Sequence, residues 1–266
     1  MTEAPYTDDI MTRIDAVAQR LATASRVLFI TGAGLSADSG LPTYRGIGGI
    51  YDDGVTDEGI PFEVALSGDM FRRNPELTWK HIARIESATR GARHNPGHEV
   101  LADLEDQLPH ACVLTQNVDG FHHQAGSRNV IEVHGNVHHL RCTSCDREKQ
   151  VDDFSGLPIP PVCLRCGGML RPDVVLFGEM LPFPAMNHLA AETAEGFDVV
   201  MSIGTTSVFP YITEPVLTAR DQGATTVEIN PDTTEISGLV DYRLPDRAAA
   251  MLNALWERFR SAHGHG

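Results

Sequence analysis

Six short runs rich in β-branched and aromatic residues constrain this chain more than any other feature. They are VLFITGAG (27–34), HACVLTQ (110–116), NVIEVHG (129–135), DVVLFGE (173–179), FDVVMSIGT (197–205) and ATTVEIN (224–230). Most lack the strict apolar–polar alternation of a strand with one wet face, so they read as strands covered on both sides. Helical spacing lies between and around them. Ile10, Ile14, Val17, Ala18 and Leu21 form one apolar stripe within 10–25, and 63–90, 98–107, 185–195, 212–222 and 246–260 carry others. Strands alternating with helices predict an α/β fold with a mostly parallel sheet and helices on both faces.

Several of these runs stop at polar residues. VLTQNVDGFHHQAG (113–126) passes from an apolar strand into Gln116, Asn117 and Asp119, and NVIEVHG brings in His134. FDVVMSIGT ends in Gly204 and Thr205 with Ser207 just beyond, and ATTVEIN ends in Asn230. In open α/β sheets ligands sit beyond the carboxyl ends of the strands. Hydroxyls and amides there suit a nucleoside, although Ser, Thr and Asn also cap helices and Asn and Asp also cap turns. GAGLSA (32–37) has the GxGxxA pattern of a dinucleotide turn. Gly32 would allow the tight turn, Gly34 a close approach to pyrophosphate, and Ser36 and the free N–H groups of the helix start would offer donors. The acid expected some 20 residues further on falls at Asp52 and Asp53, but no strand leads to them, so they are not assigned to a ribose. Arg45 is the cation of this glycine-rich loop, and a solvated arginine is the alternative.

Residues 139–170 break the rhythm and read as a loop-like inserted module. Cys142, Cys145, Cys163 and Cys166 form two CxxC pairs within it. Four thiolates complete a tetrahedral zinc shell with no open position for water, so the expected zinc is structural. Redox thiols and buried free cysteines are the alternatives. Cys112 lies alone in an apolar run and reads as core.

The 266 residues, 42% of them hydrophobic, suffice for a large core. A net charge of −15 argues against nucleic acid as a partner. No stretch reaches the roughly 20 apolar residues of a membrane span, and the acidic start, MTEAPYTDDI, is unlike a signal peptide. The expectation is a cytoplasmic protein without a membrane or direct nucleic-acid partner.

TGAGLSADSGLPTYRG, TQNVDGFHHQAG, EVHG, the paired CxxC motifs, RPDVVLFGE, GTTSVFP and VEIN occur in this order. Together they resemble the sirtuin (Sir2-like) family of NAD-dependent protein lysine deacylases, over roughly residues 15–260. The resemblance implies a Rossmann-like domain from 10–40, 98–138 and 171–260. It also implies a small domain from the cofactor loop and helices of 41–97 and the zinc module of 139–170. NAD, consumed as a co-substrate, and an acylated lysine on a protein would meet in the cleft between them. Gly32, Ala33, Gly34, Ser36, Arg45 and Gln116 would hold the phosphates and nicotinamide ribose. Asn117 and Asp119 would form the nicotinamide pocket, and Gly204, Thr205, Ser207 and Asn230 would hold the adenosine half. Val174, Val175, Leu176, Phe177 and Gly178 would pair with the substrate backbone as an added strand. His134 would be the base, and the products would be free lysine, nicotinamide and O-acyl-ADP-ribose.

Sirtuins that remove succinyl or malonyl groups place a Tyr-x-x-Arg pair on a small-domain helix. Aligned on Asn74-Pro75, those positions are Ile82 and Ile85 here, which favours acetyl or another apolar acyl group. His81 and Arg84 have the same spacing one residue earlier, about 100° around a helix. Thr43, where many relatives have Asp, points instead toward the desuccinylase-type branch. Rival readings are an NAD-dependent mono-ADP-ribosyltransferase or glycohydrolase, and a non-catalytic NAD-binding module. His122 and His123 are expected to be packing or surface residues, and Trp79 core.

Overall fold

The computed structural model of the protein describes residues 6–42 and 54–263. In chain order it begins α1 (Asp8–Thr23), β1 (Arg26–Thr31), α2 (Ala33–Ala37), α3 (Phe62–Ala65), α4 (Gly68–Arg73), α5 (Pro75–Thr89) and α6 (Pro96–Gln107). It continues β2 (His110–Thr115), α7 (Phe121–Ala125), β3 (Val130–Glu132), β4 (Gly135–Cys142), β5 (Glu148–Gln150) and β6 (Leu170–Val174). It closes with α8 (Phe183–Glu195), β7 (Val199–Ile203), α9 (Pro210–Asp221), β8 (Thr225–Ile229), β9 (Tyr242–Leu244) and α10 (Ala248–His263).

The larger sheet has the order β3-β2-β1-β7-β8-β9, and every neighbouring pair in it is parallel. This is the doubly wound arrangement of a Rossmann-like core: the chain builds outward one way from β1 and the other way from β7. The absence of alternation in the strand sequences has its explanation in β1. Val27 and Phe29 pack on one face with Ile14, Leu21, Leu101 and Leu255, while Leu28 and Ile30 pack on the other with Cys112, Ile212 and Val216. Each such side chain removed from water contributes about 1.5–3 kcal/mol. Cys112 is core as expected, with burial pushing its thiol pKa up.

A smaller antiparallel sheet, β5-β4-β6, packs with α3, α4 and α5 around Trp79. Trp79 is fully buried and its Nε1 donates to the Leu170 carbonyl at 3.0 Å. The loop-like reading of 139–170 is therefore corrected. Its strands are short, and β5 is exposed along its length, so no apolar pattern marked it. The small sheet reaches from Gly135 to Val174 and takes in residues on both sides of the expected 139–170 module. Two further expectations are corrected. The helical stretch 63–90 is three helices, because Ser67 Oγ accepts from Met70 N–H and Asn74 Oδ1 from Leu77 N–H, each starting a new helix, and Pro75 occupies the first turn of α5. DVVLFGE is not one strand: β6 ends at Val174 and the chain then leaves the sheet.

NVIEVHG also divides. β3 belongs to the large sheet and β4 to the small one, so Val133 and His134 form the link between them. Gly135 enforces the change of direction. Its φ is +77°, and an added Cβ would lie 1.9 Å from the Asp173 carbonyl oxygen, so a side chain fits only if the strand moves.

Candidate active site

The carboxyl ends of β1 and β7 lie side by side, and their loops interlock through glycine. Gly34 N–H donates to the Gly204 carbonyl at 2.8 Å, and Gly32 N–H to the Ile203 carbonyl at 3.1 Å. A Cβ on Gly32 would come 2.7 Å from Thr205 Cβ, and one on Gly34 2.7 Å from Gly204 Cα. Gly204 itself has φ +60°. The glycines of GAGLSA thus permit loop to meet loop. This corrects the simple expectation of free N–H groups at the start of α2, since the Gly34 N–H is already bonded. Ala33 opens that five-residue helix.

Behind this turn the polar residues at the end of β2 form one network. Asn117, almost fully buried, donates from Nδ2 to the Gly32 carbonyl at 3.0 Å and to Ser36 Oγ at 2.9 Å. Ser36 donates onward to Asp119 Oδ2 at 2.6 Å, and Asp119 Oδ1 accepts from Phe121 N–H at 3.0 Å. Asp119 therefore caps its turn and also reaches across to α2. Burial raises its pKa above the usual carboxylate range, and the bonds from Ser36 and Phe121 offset only part of that rise. A carboxyl so placed holds a proton more readily than one in water.

Gln116 Nε2 donates to Thr205 Oγ1 at 2.8 Å, and Asn230 Nδ2 to the Thr205 carbonyl at 3.0 Å. Ser207 N–H donates to Thr205 Oγ1 at 3.2 Å, and Ser207 is buried with φ +54°. Thr205 therefore gathers three of the residues picked from sequence. Thr206, Val208, Asn230 and Asp232 line part of a cavity of about 390 Å³ beside them. Arg45 lies outside the described residues, as do Thr43, Asp52 and Asp53.

His134 is half-buried, and burial depresses its pKa below the ordinary imidazole value, against the opposing effect of the Gln116 carbonyl. Its Nδ1 lies 2.9 Å from that carbonyl and its Nε2 2.8 Å from the Tyr211 hydroxyl. A carbonyl only accepts, so the neutral ring carries its proton on Nδ1 and offers a lone pair at Nε2. The backbone beside it is tied to the segment after β6: Val175 N–H donates to the His134 carbonyl at 2.9 Å. Phe177 N–H in turn donates to the Leu66 carbonyl, and Gly68 N–H to the Phe177 carbonyl, both at 3.0 Å. Val174, Leu176 and Phe177 share an apolar cluster with Ile82 and Ile85. The two isoleucines are thus part of the small-module core. His81 is buried against Glu58, and Arg84 stands in solvent paired with Asp57 at 2.6 Å.

The four cysteines of the paired motifs converge, with all sulfurs within 4.8 Å of one another. Cys142 and Cys166 are 3.5 Å apart, Cys145 and Cys163 3.9 Å. Backbone N–H groups of Arg165 and Cys166 lower the Cys163 thiol pKa to about 7. Those separations exclude disulfides, at about 2.05 Å. A tetrahedron of Zn–S bonds of about 2.3 Å requires sulfurs about 3.8 Å apart, so the donor set fits that ion.

Sequence reading passed over Tyr211, which reaches His134 from α9, and a buried relay beneath the site. His122 Nε2 lies 2.8 Å from Thr31 Oγ1, which donates to Thr115 Oγ1, and that oxygen accepts from Asn117 N–H. His122 is a packing residue as expected, and His123 is exposed. The one sequence signal for Tyr211 was its place seven residues beyond Gly204, at a strand end already marked.

The family model described as Sir2 family matches residues 32–210. An NAD-dependent protein deacylase 2 of Pseudomonas aeruginosa is 52% identical over 238 residues, covering 88% of this chain and 93% of that protein. An NAD-dependent protein deacylase of Aquifex aeolicus is 38% identical, covering 90% and 97%. The solved structure of a Sir2 homolog–NAD complex superposes with a TM-score of 0.84 at 34% identity, covering 94% of both chains. A Sir2 protein with a deacetylated p53 peptide and 3′-O-acetyl ADP ribose gives 0.81 at 26% identity, covering 92% and 97%.

Proposed function

This chain belongs to the Sir2 family, and from that premise we propose how its cleft works as an NAD-dependent protein lysine deacylase. NAD is a substrate here, and supplies C1′ as the electrophile once nicotinamide leaves. The observation that carries the reading is the joint placement of two groups on one strand end: the Ser36–Asn117–Asp119 network, and His134 held by the Gln116 carbonyl.

Gly32, Gly34, Thr205, Ser207 and Asn230 hold the ADP half against the interlocked loops. Gln116 and Ser36 lie toward the nicotinamide ribose. Asn117 and Asp119 hold the carboxamide, with Asp119 fixed in place by the Ser36 hydroxyl and the Phe121 N–H. Neutral His134 takes a proton from a ribose hydroxyl at Nε2, because Nδ1–H is committed to Gln116. Val174 to Gly178 hold the peptide backbone beside it. The acyl group that fits best is acetyl or another apolar group. Ile82 and Ile85 offer a carboxylate no partner, and Arg84 is turned to solvent. The cysteine tetrad holds one structural zinc that staples β4 to the 163–168 turn. A reducing compartment such as the cytoplasm suits four free thiols.

Mass spectrometry of products from an acetyl-lysine peptide and NAD tests the reading. Wild type yields O-acetyl-ADP-ribose in equal amount with free lysine peptide, and His134→Ala slows this by about 10²–10⁴-fold. Free acetate with no acetylated ADP-ribose would refute it.

A further inference from the structure

Among the described residues, Tyr211 is the side chain bonded to the nitrogen at which His134 must take its proton. Its hydroxyl is 2.8 Å from Nε2, its ring meets the imidazole edge-on at 5.9 Å, and it stacks on Phe209 at 5.4 Å. The half-buried ring is packed against the core cluster that holds Ile30, Leu189 and Ile212. With Gln116 on Nδ1 and Tyr211 on Nε2, the imidazole is gripped along both edges. Among the described residues these are the groups bonded to the ring, and Tyr211 is the titratable one. Burial raises its pKa to about 12, so it stays a neutral hydroxyl throughout the working range.

A hydroxyl can both donate and accept. While His134 is neutral, Tyr211 donates into the Nε2 lone pair. Once the ring holds a proton at Nε2, that N–H needs an acceptor in a half-buried site, and the same oxygen supplies one after the hydroxyl hydrogen turns away. The second bond involves a cation and is the stronger of the two. Tyr211 thereby favours the imidazolium over the neutral ring.

We propose that Tyr211 is a positioning residue of the deacylation: it orients His134 and stabilises the protonated ring formed when the ribose hydroxyl gives up its proton. The tyrosine O–H first turns off Nε2 and frees its lone pair; the ribose O–H then breaks as Nε2–H forms, the electron pair stays on the ribose oxygen, and tyrosine ends as it began. This rests on the deacylase reading above, and it assigns a role to a side chain outside the expected site set.

The test compares wild type with Tyr211→Phe, which keeps the ring and its stacking. Losing a hydrogen bond to a charged group should lower kcat about ten- to hundred-fold, with the KM for NAD changed less than about threefold. The acid limb of the kcat–pH profile should move down by about one unit, because His134 loses its partner for the charged form. A purely structural tyrosine would leave that limb in place. Imidazole ¹⁵N NMR of wild type, with His134→Ala for assignment, should show a protonated Nδ1 and a hydrogen-bonded lone pair at Nε2. Unchanged or faster turnover with an unmoved limb in Tyr211→Phe overturns the proposal, and so does a proton on Nε2 of the neutral ring. If wild type makes no O-acetyl-ADP-ribose, the deacylase reading itself fails, which the Tyr211 comparison cannot mimic.

Discussion

Gly34→Ala separates two accounts of the glycine turn. If Gly34 serves only to let a pyrophosphate approach, the substitution weakens NAD binding and leaves the ligand-free protein alone. In the structure its Cβ would stand 2.7 Å from Gly204 Cα and 2.8 Å from the Gly204 carbonyl oxygen, both backbone atoms. The two loops must part, and the 2.8 Å bond from Gly34 N–H to Gly204 is strained or lost. Overpacking of this kind costs about 1–3 kcal/mol, and the bond about 1 kcal/mol more. For a chain of this size that lowers Tm by on the order of 5–10 °C. Differential scanning calorimetry without NAD reads it directly. Gly238→Ala is the control, since nothing lies within 4 Å of its Cβ, and it should stay within about 0.5 kcal/mol of wild type. A Gly34→Ala protein that melts like wild type without NAD, yet binds NAD weakly, would refute the interlock.

Cys145→Ala should lose bound zinc and lower Tm, and metal analysis finding no zinc in carefully prepared wild type would contradict the tetrad's role. Burial holds His98 at about 4 and His122 well below its ordinary value. The unfolded chain therefore takes up protons first as pH falls. This stabilisation is whole above about pH 6.5 and drains away toward pH 4, and His98 alone accounts for a loss of about 2 kcal/mol between pH 7 and pH 5. Urea unfolding at those two pH values checks it, and equal stabilities would contradict it. Deacetylation should exceed desuccinylation by at least about tenfold in kcat/KM, and Arg84→Ala should leave the ratio unchanged. Loss of desuccinylation alone in that variant would put Arg84 in the acyl pocket.

The strands of the large sheet were legible because burial on both faces leaves unbroken apolar runs, as in VLFIT and FDVVMSI. β9 escaped notice as a three-residue edge strand, and β5 as three exposed polar residues. The division of 63–90 was written in Ser67 and Asn74, whose capping role shows only once their partners are seen. The cysteine spacing announced a tetrad without help from the fold. The contacts at the site were less legible: Gly204 meeting Gly34, and Tyr211 meeting His134, join segments 170 and 77 residues apart. No local pattern encodes such pairs, and only the sheet order brings them together.

The central claim is that acyl-lysine and NAD react together in this cleft, and nicotinamide release measured with and without an acetyl-lysine peptide tests it most directly. Rapid release that requires the peptide and falls about 10²–10⁴-fold in His134→Ala is the expected result. Release at the same rate without peptide, or no release with it, would contradict the account.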